Sequence, residues 1–278
     1  LLGGHSGTEI NKNRCNAIKM LAIILQQLQE DGICFDIADI SGGTADNAIA
    51  SEASADIVCS TADKEKIKQT FTQLKQKFAE IYAGTEKNAV FTFEDTAMPD
   101  KVIDKAITKP LVSLLYVLHS GVYAMSEMDT QLPELSSNIG RLIIENDKLI
   151  IHVLSRSATN ANLSFIKTAH RILAELSDFT AVFMPTSPAW NGDPQSRLVQ
   201  LAVKTFERQN GRPMKVEFIH GGLECNYFAD KNQGIDIISI GPNNIDIHTP
   251  QEKLQLDTVE PQVLLIRGII EQIAKDGK

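Results

Sequence analysis

The sequence predicts an α/β protein in which two tandem α/β-sandwich (ferredoxin-like) units are followed by a shorter C-terminal piece. Three observations support this fold class. Stretches with helical and strand periodicity alternate along the chain, the same order of elements occurs twice before residue 190, and a segment rich in Pro, Gly, Ser and Asn then interrupts the pattern. With 278 residues, of which 43% are hydrophobic and 22% charged, the chain can bury one large core or two smaller ones.

The first unit begins with a helix. Apolar residues recur at helical spacing from Ile18 to Leu28, and Gly32 stands where a helix is expected to stop. Residues 33–40 alternate apolar and polar side chains before a glycine turn, which is typical of a strand. The remaining elements of this unit are predicted as a strand at 53–60, a helix at 61–83 and a strand at 88–93. This order gives most of an antiparallel sheet that helices cover on one side.

The second unit follows a similar order. A helix is predicted over 99–125, with Pro110 kinking or interrupting it. Residues 138–145 and 148–155 form a predicted hairpin. The last two elements of this unit are a helix at 160–176 and a strand at 180–184.

The segment from Pro185 to Pro194 is the strongest candidate for a linker, because Pro, Gly, Ser and Asn cluster there. We place the domain boundary in it, which gives one domain at 1–190 and another at 191–278. The elements predicted after the boundary are a helix at 197–209, strands at 215–219 and 236–239, a glycine-led turn into 223–228 and a final helix at 258–275. With only two clear strands, this piece would need other chain to cover both faces of its sheet, and we expect the chain to begin mid-protein.

Charge and cysteine content argue against several classes of function. The chain carries 27 Lys and Arg against 35 Asp and Glu, a formal net charge of −8, which is unlike a general nucleic-acid or anionic-membrane binder. Its apolar runs fall short of the roughly 20 residues that a membrane span needs, so we expect a soluble protein. Four cysteines without a CxxC spacing favour reduced thiols in a cytoplasmic protein over a cysteine-based zinc site.

Three polar loops each contain one histidine. His5 lies in a glycine-rich loop before a helix, which suits an anionic group, although a plain turn is the alternative. His220 follows an apolar strand, where α/β proteins place ligand contacts, and a simple strand-to-helix turn fits equally well. His248 could bind a transition metal, but a single histidine without an HxH, HExxH or HxD cluster is a weak signal.

Several segments, spread over the whole chain, match one protein family in the family's own order. They are Gly3-Gly4-His5-Ser6-Gly7 with Arg14-Cys15-Asn16-Ala17, Gly42-Gly43-Thr44 with Asn47-Ala48-Ile49, Ser136-Ser137-Asn138, Arg156-Ser157, Gly222-Leu223-Glu224-Cys225, and Gly234-Ile235-Asp236 through Gly241-Pro242 to Asp246-Ile247-His248-Thr249-Pro250. Together they resemble the aminoacylhistidine (Xaa-His) dipeptidases, in the metallopeptidase group that includes carnosinases and glutamate carboxypeptidase. Their common order makes the match more specific than any one motif.

The resemblance implies a zinc-peptidase catalytic domain interrupted by an inserted lid domain. Residues 1–190 would be the lid and dimerisation domain, and residues 191–278 the C-terminal portion of the catalytic domain. The implied activity is metal-dependent hydrolysis of Xaa-His and related unblocked dipeptides by a cytoplasmic homodimer that forms through the lid. The family's HxD motif, general base and most ligands of its two-metal zinc centre, where manganese or cobalt are alternatives, would be absent here, so this chain alone would be inactive.

The resemblance also implies roles for single residues. His5 would be catalytic and would stabilise the oxyanion of the tetrahedral intermediate, in its own site or in that of a dimer partner. Asn47, Arg156 and Gly222 would hold the termini and backbone of the substrate, and the guanidinium can grip a carboxylate bidentately. His248 would be the one remaining metal ligand.

Two other hypotheses remain open from sequence. A non-catalytic binding or dimerisation module could keep the lid and half a peptidase fold without hydrolysis. An unrelated enzyme could share the lid architecture alone, because a fold does not determine a function.

Overall fold

The computed structural model describes residues 1–127, 129–185, 187–190, 192–217, 219–245 and 252–276. The chain divides into two compact units. Unit 1 comprises Leu1–Pro185 and Ile219–Gly221, and unit 2 comprises Thr186–Phe218 and Gly222–Lys278. The assignment of 1–190 as a lid and 191–278 as part of a catalytic domain stays a prediction.

The first half of unit 1 contains two helices and four strands. They are β1 (Gly4–His5), α1 (Ala17–Glu30), β2 (Phe35–Gly42), β3 (Ala48–Ile49), β4 (Ala53–Cys59) and α2 (Lys64–Ile81). Asn16 caps α1, since its side chain accepts hydrogen bonds from the backbone N–H groups of Ile18 and Lys19. Gly32, with φ at +75°, lets the chain reverse after α1 as the sequence predicts.

The second half of unit 1 repeats this alternation. Its elements are α3 (Lys105–Val117), β5 (Gly121–Met125), β6 (Pro133–Glu145), β7 (Lys148–Ser157) and α4 (Asn160–Leu176). The single helix predicted over 99–125 is wrong in extent, because the backbone leaves the helical region at Leu118 and turns at Gly121, whose φ is +146°. The apolar residues after that glycine belong to a strand.

One five-stranded sheet joins the two halves of unit 1. Strands β2 and β4 form an antiparallel hairpin, and β6 pairs with both β5 and β7 in antiparallel register. The hairpins meet at one residue pair, Gly42 opposite Leu142. The mixed α/β class is therefore confirmed, with the two predicted units sharing a sheet.

Two strands predicted in unit 1 are wrong. Residues 88–93 are not a strand, because Phe91 and Phe93 pack instead on the phenylalanines of α2, with ring centroids 5.8 and 5.7 Å apart. Residues 180–184 are also irregular, and Phe183 lies beneath the ammonium of Lys167 on α4, 4.8 Å from the ring centroid. In both segments the aromatic residues pack against a helix, and the backbone does not join a sheet.

The main core of unit 1 lies between α1 and α3 on one side and strands β2 and β6 on the other. Its fully buried side chains include Ile18, Leu28, Ile37, Ile40, Leu111, Leu115, Ile139 and Leu142. Burying each such side chain contributes roughly 1.5–3 kcal/mol. This core holds the ends of β2, β6 and α1 from which the candidate site is built.

Unit 2 is mostly helical. It contains α5 (Arg197–Asn210), α6 (Cys225–Lys231), β8 (Asn244–Ile245), β9 (Lys253–Leu254) and α7 (Val259–Asp276). Helices α5 and α7 share a small core of Ala202, Leu265 and Ile269. The strands predicted at 215–219 and 236–239 are wrong within the described residues, where only β8 and β9 of this unit pair.

No helix in the described ranges is long and apolar enough to cross a membrane.

Candidate functional site

His5 lies in a short strand whose loop is braced by an ion pair. Strand β1 pairs with β3, which places His5 opposite Ala48. The backbone N–H of His5 donates to Glu9 Oε2 at 2.9 Å, and Glu9 forms an ion pair with Arg14. Gly4 has φ at +139°, and a side chain there would overlap the Arg14 guanidinium, so this position requires glycine.

The hydrogen bonds of His5 determine its neutral tautomer. Its Nδ1 accepts from the backbone N–H of Gly7 at 3.1 Å and from that of Thr8 at 3.2 Å. The proton of the neutral ring is therefore on Nε2. An Nε2–H donor is what an imidazole needs to stabilise a developing oxyanion.

Ser6 connects three of the residues singled out from the sequence. Its backbone N–H donates to the carbonyl of Asn47 at 2.8 Å, and its Oγ accepts from Arg156 Nη2 at 3.5 Å. The side chain is only 1% exposed. Since Ser6 follows His5 directly, the structure brings His5, Asn47 and Arg156 together around one buried serine.

Asn47 lies in a loop whose backbone is hydrogen-bonded to the buried side chain of Asn138. The Nδ2 of Asn138 donates to the carbonyl of Asp46 at 3.1 Å and to that of Ala48 at 2.7 Å, on either side of Asn47. Asn138 is 1% exposed, and Asn16 Nδ2 in turn donates to the Ile139 carbonyl at 2.8 Å. The backbone around Asn47 is therefore well anchored, whereas Asn47 itself is exposed.

Arg156 is a partly buried cation at the end of β7. Burial lowers the pKa of its guanidinium, and its Nε is buried with no hydrogen-bond partner among the described residues. No Asp or Glu of the described part of the chain forms an ion pair with it. A buried guanidinium without a carboxylate is costly unless an anion completes its environment.

A serine–histidine pair, Ser136 and His220, lies beside Arg156. Ser136 is the direct cross-strand partner of Arg156, and the distance from its Oγ to His220 Nε2 is 2.7 Å. The two residues are 2% and 7% exposed. Burial, and to a lesser degree the charge of Arg156, lowers the pKa of His220 to about 4, so its ring is neutral at pH 7.

Sequence reasoning noted the His220 loop and the Ser136-Ser137-Asn138 segment but did not connect either to Arg156. The hairpin turn between Glu145 and Lys148 was the signal that could have predicted which residue of β6 lies opposite Arg156. Counting back from it places Arg156 opposite Ser137, and an irregularity between Ile139 and Arg141 shifts the partner to Ser136.

The other two predicted site residues are not part of this cluster. Gly222 belongs to unit 2, is exposed and has open space where a Cβ would be, so packing within the described residues does not require a glycine there. His248 lies outside the described residues. Within those residues, no group of three or more His, Cys, Asp and Glu side chains could hold a metal ion.

Comparisons with known proteins agree with this architecture. Residues 1–86 match the model of the peptidase dimerisation domain. The cytosol non-specific dipeptidase of Escherichia coli (strain K12) is 26% identical over 273 residues, which are 98% of this chain and 56% of that protein. The crystal structure of the aminoacylhistidine dipeptidase from Vibrio alginolyticus matches with a TM-score of 0.86 and 26% identity over 97% of this chain and 55% of the other.

The fold and these matches indicate the class of protein: residues 1–86 are similar to a peptidase dimerisation domain, and the fold is similar to that of an aminoacylhistidine dipeptidase. The resemblance to the aminoacylhistidine dipeptidases is confirmed in sequence and in fold. The chain spans about half the length of the relatives that it matches.

Proposed function

We propose that the protein containing this chain is a metal-dependent dipeptidase that hydrolyses Xaa-His and related unblocked dipeptides. The observation that carries the proposal is the partly buried Arg156, which has no carboxylate partner in the described ranges and contacts Ser6 in the His5 loop. Both dipeptidase relatives support it. An unblocked dipeptide offers the carboxylate that such a guanidinium can bind.

In this proposal each site residue has a separate role in substrate binding or catalysis. Arg156 binds the C-terminal carboxylate of the substrate, and His5 donates from Nε2 to the oxygen of the scissile carbonyl as negative charge develops there. Asn47 and Gly222 hold the backbone and the termini of the dipeptide. The anchoring of the Asn47 loop by Asn138 keeps that part of the site in place without substrate.

Metal dependence is the second part of the proposal. The described residues do not by themselves form a metal-binding set. We assign His248 as one ligand of a two-metal zinc site, with manganese or cobalt as alternatives, whose other ligands these residues do not supply. Such metal ions polarise the scissile carbonyl and provide hydroxide at neutral pH when they are bound.

The remaining assignments concern assembly and location. We propose residues 1–190 as a lid through which a homodimer forms, supported by the dimerisation-domain match at 1–86. Residues 191–278 would be the C-terminal portion of the catalytic domain. A cytoplasmic location is consistent with the cytosolic relative from Escherichia coli.

The test is hydrolysis of β-alanyl-histidine and several α-linked Xaa-His dipeptides by the product of the complete reading frame that contains this chain, with and without a chelator. We expect chelator-sensitive turnover, and Arg156→Ala should raise KM by about 100-fold, because a charged hydrogen-bonded pair is lost. Arg171→Ala is the matched control, since Arg171 is an exposed arginine that pairs with Glu175 on α4.

Other results would exclude the proposal. If several dipeptides with added metal show no turnover, the chain belongs to a non-catalytic binding or dimerisation module. If turnover occurs but Arg156→Ala and Arg171→Ala behave alike, Arg156 does not bind the substrate.

A further inference from the structure

We propose that His220 is a positioning residue for Arg156. Its imidazole, hydrogen-bonded to Ser136, lies beside the guanidinium and keeps it oriented towards an incoming carboxylate. The inference rests on the proposed role of Arg156. It adds to that role a residue pair that does not itself bind the substrate but determines where the substrate's carboxylate is bound.

The sheet places the three side chains together. Ser136 on β6 and Arg156 on β7 are directly opposite in an antiparallel pair, so their side chains leave the sheet on the same face. His220 reaches the hydroxyl of Ser136 at 2.7 Å. It also lies close enough to Arg156 for the charge of the guanidinium to affect its titration.

The guanidinium itself has little else to hold it. Its Nη2 donates to Ser6 Oγ at 3.5 Å, the limit of a hydrogen bond, and its Nε has no partner in the described part of the chain. Its position therefore depends on the surrounding side chains more than on its own hydrogen bonds. Ser6 and the Ser136–His220 pair are polar groups beside it, and none of them carries a negative charge that would neutralise the guanidinium in place of an anion.

A second contact ties His220 to the His5 loop. A Cβ built on Gly7 would lie 2.5 Å from the carbonyl oxygen of His220 and 3.0 Å from Cε1 of His5. The backbone at His220 therefore packs directly against the glycine whose N–H holds the His5 ring. The position of His220 is set by this packing at one end and by Ser136 at the other, which is the rigid support a positioning residue needs.

The experiment compares His220→Ala, Ser136→Ala and the conservative His220→Gln in the complete protein. We expect KM for an Xaa-His dipeptide to rise about tenfold in the two alanine variants, with kcat within about twofold and with His220→Gln close to wild type. His170→Ala is the matched control. Like His220, His170 on α4 has a pKa that burial lowers. Unlike His220, its Nε2 has no hydrogen-bond partner among the described residues.

A double-mutant cycle separates positioning from general damage. In an Arg156→Ala background, His220→Ala should have almost no further effect on KM, because the group that it positions is gone. An unchanged KM in His220→Ala, or an effect of equal size with and without Arg156, would overturn the proposal.

A readout that needs no turnover distinguishes this proposal from the proposed activity. The ¹⁵N resonance of Arg156 Nε, assigned by its loss in Arg156→Lys, should shift in His220→Ala but not in His170→Ala, and added acetate should perturb it less in His220→Ala than in wild type. If these shifts occur in a protein that hydrolyses no dipeptide, the positioning role holds and the proposed function fails. If the resonance does not respond to His220→Ala, the positioning role fails whatever the activity.

Discussion

Gly7 shows at the residue scale how closely the parts of the candidate site approach one another. The peptide N–H of this glycine orients His5, and the missing side chain leaves room for both the His5 ring and the His220 carbonyl. Its φ is not in the left-handed region. The need for glycine here is therefore steric, and a substitution tests contact without adding backbone strain.

We expect Gly7→Ala to lower kcat at least tenfold, because the new Cβ would move the His5 ring, the His220 carbonyl or both by several tenths of an ångström. Steady-state kinetics of the complete protein would measure the loss. Gly84→Ala is the control, since Gly84 has open space at its Cβ position and an ordinary φ. Equal kinetics for the two variants would contradict the close packing around Gly7.

His220 also predicts how stability depends on pH. Its pKa falls from 6.5 to about 4 in the folded protein, because of burial and the nearby Arg156, so between these values the unfolded chain binds more protons. The free energy of unfolding should therefore decrease as the pH falls from about 6.5 towards about 4, and this contribution is present in full above 6.5.

Urea unfolding of wild type and His220→Gln at about pH 7 and about pH 5 measures this term. Groups that titrate in the same way in both proteins cancel, so the difference between the two losses isolates His220. The variant should lose less stability on acidification than wild type. Parallel losses would show that His220 titrates normally.

At the scale of single elements, the end of α3 depends on a lysine from α1. Lys19 Nζ donates to the carbonyls of Leu115, Tyr116 and Leu118 at 2.8, 2.5 and 2.7 Å. These carbonyls belong to the last turn, where the helix has no partners of its own and carries partial negative charge. Burial lowers the pKa of Lys19 to about 8, which still leaves the ammonium charged at pH 7.

Lys19→Met should destabilise unit 1 by about 1–3 kcal/mol, because it leaves carbonyls at the end of α3, two of them in partly buried hydrogen bonds, without this donor while it keeps most of the apolar stem. Denaturant unfolding measures the change. Lys77→Met, an exposed lysine on α2, provides the control and should change stability by less than about 0.5 kcal/mol. A Lys19→Met protein as stable as this control would show that water satisfies those carbonyls.

Helices and hairpins with strong periodicity were predictable from the sequence. Short apolar segments outside a hairpin were not, because their structure depends on what they pack against. The helix at 160–176 agrees with α4 at both ends, and the hairpin around Glu145 and Lys148 is confirmed. The segments 88–93 and 180–184 look like strands locally, but their aromatic residues pack on α2 and α4. A sequence window contains no information about which surface such residues will meet.

The candidate site was predictable only in part, because a local sequence pattern does not show which distant residues meet. The resemblance pointed to His5, Asn47 and Arg156, and the structure brings these three together. The Ser136–His220 pair depends on a sheet irregularity and on a contact between residues 84 positions apart, neither of which a local pattern reveals. The role of His248 stays a prediction.

At the scale of the whole molecule, the chain contains two units with separate cores. Unit 1 buries a large core around α1, α3 and the sheet, whereas the main buried cluster among the described residues of unit 2 consists of three residues between α5 and α7. The sequence predicted a C-terminal piece unable to cover its own sheet. The structure gives that piece a different form, because helices rather than strands dominate its described residues.

The anchoring of the Asn47 loop has a consequence for how this protein can change over evolution. The backbone of the loop is held by Asn138 and Ser6, whose hydrogen bonds go to carbonyl groups and do not involve the side chain at position 47. Because that side chain is exposed and contributes little to folding, it can be exchanged without loss of the loop. Given the proposed role of Asn47 in substrate binding, position 47 is where selection, or a directed library, could change substrate preference while the scaffold stays intact.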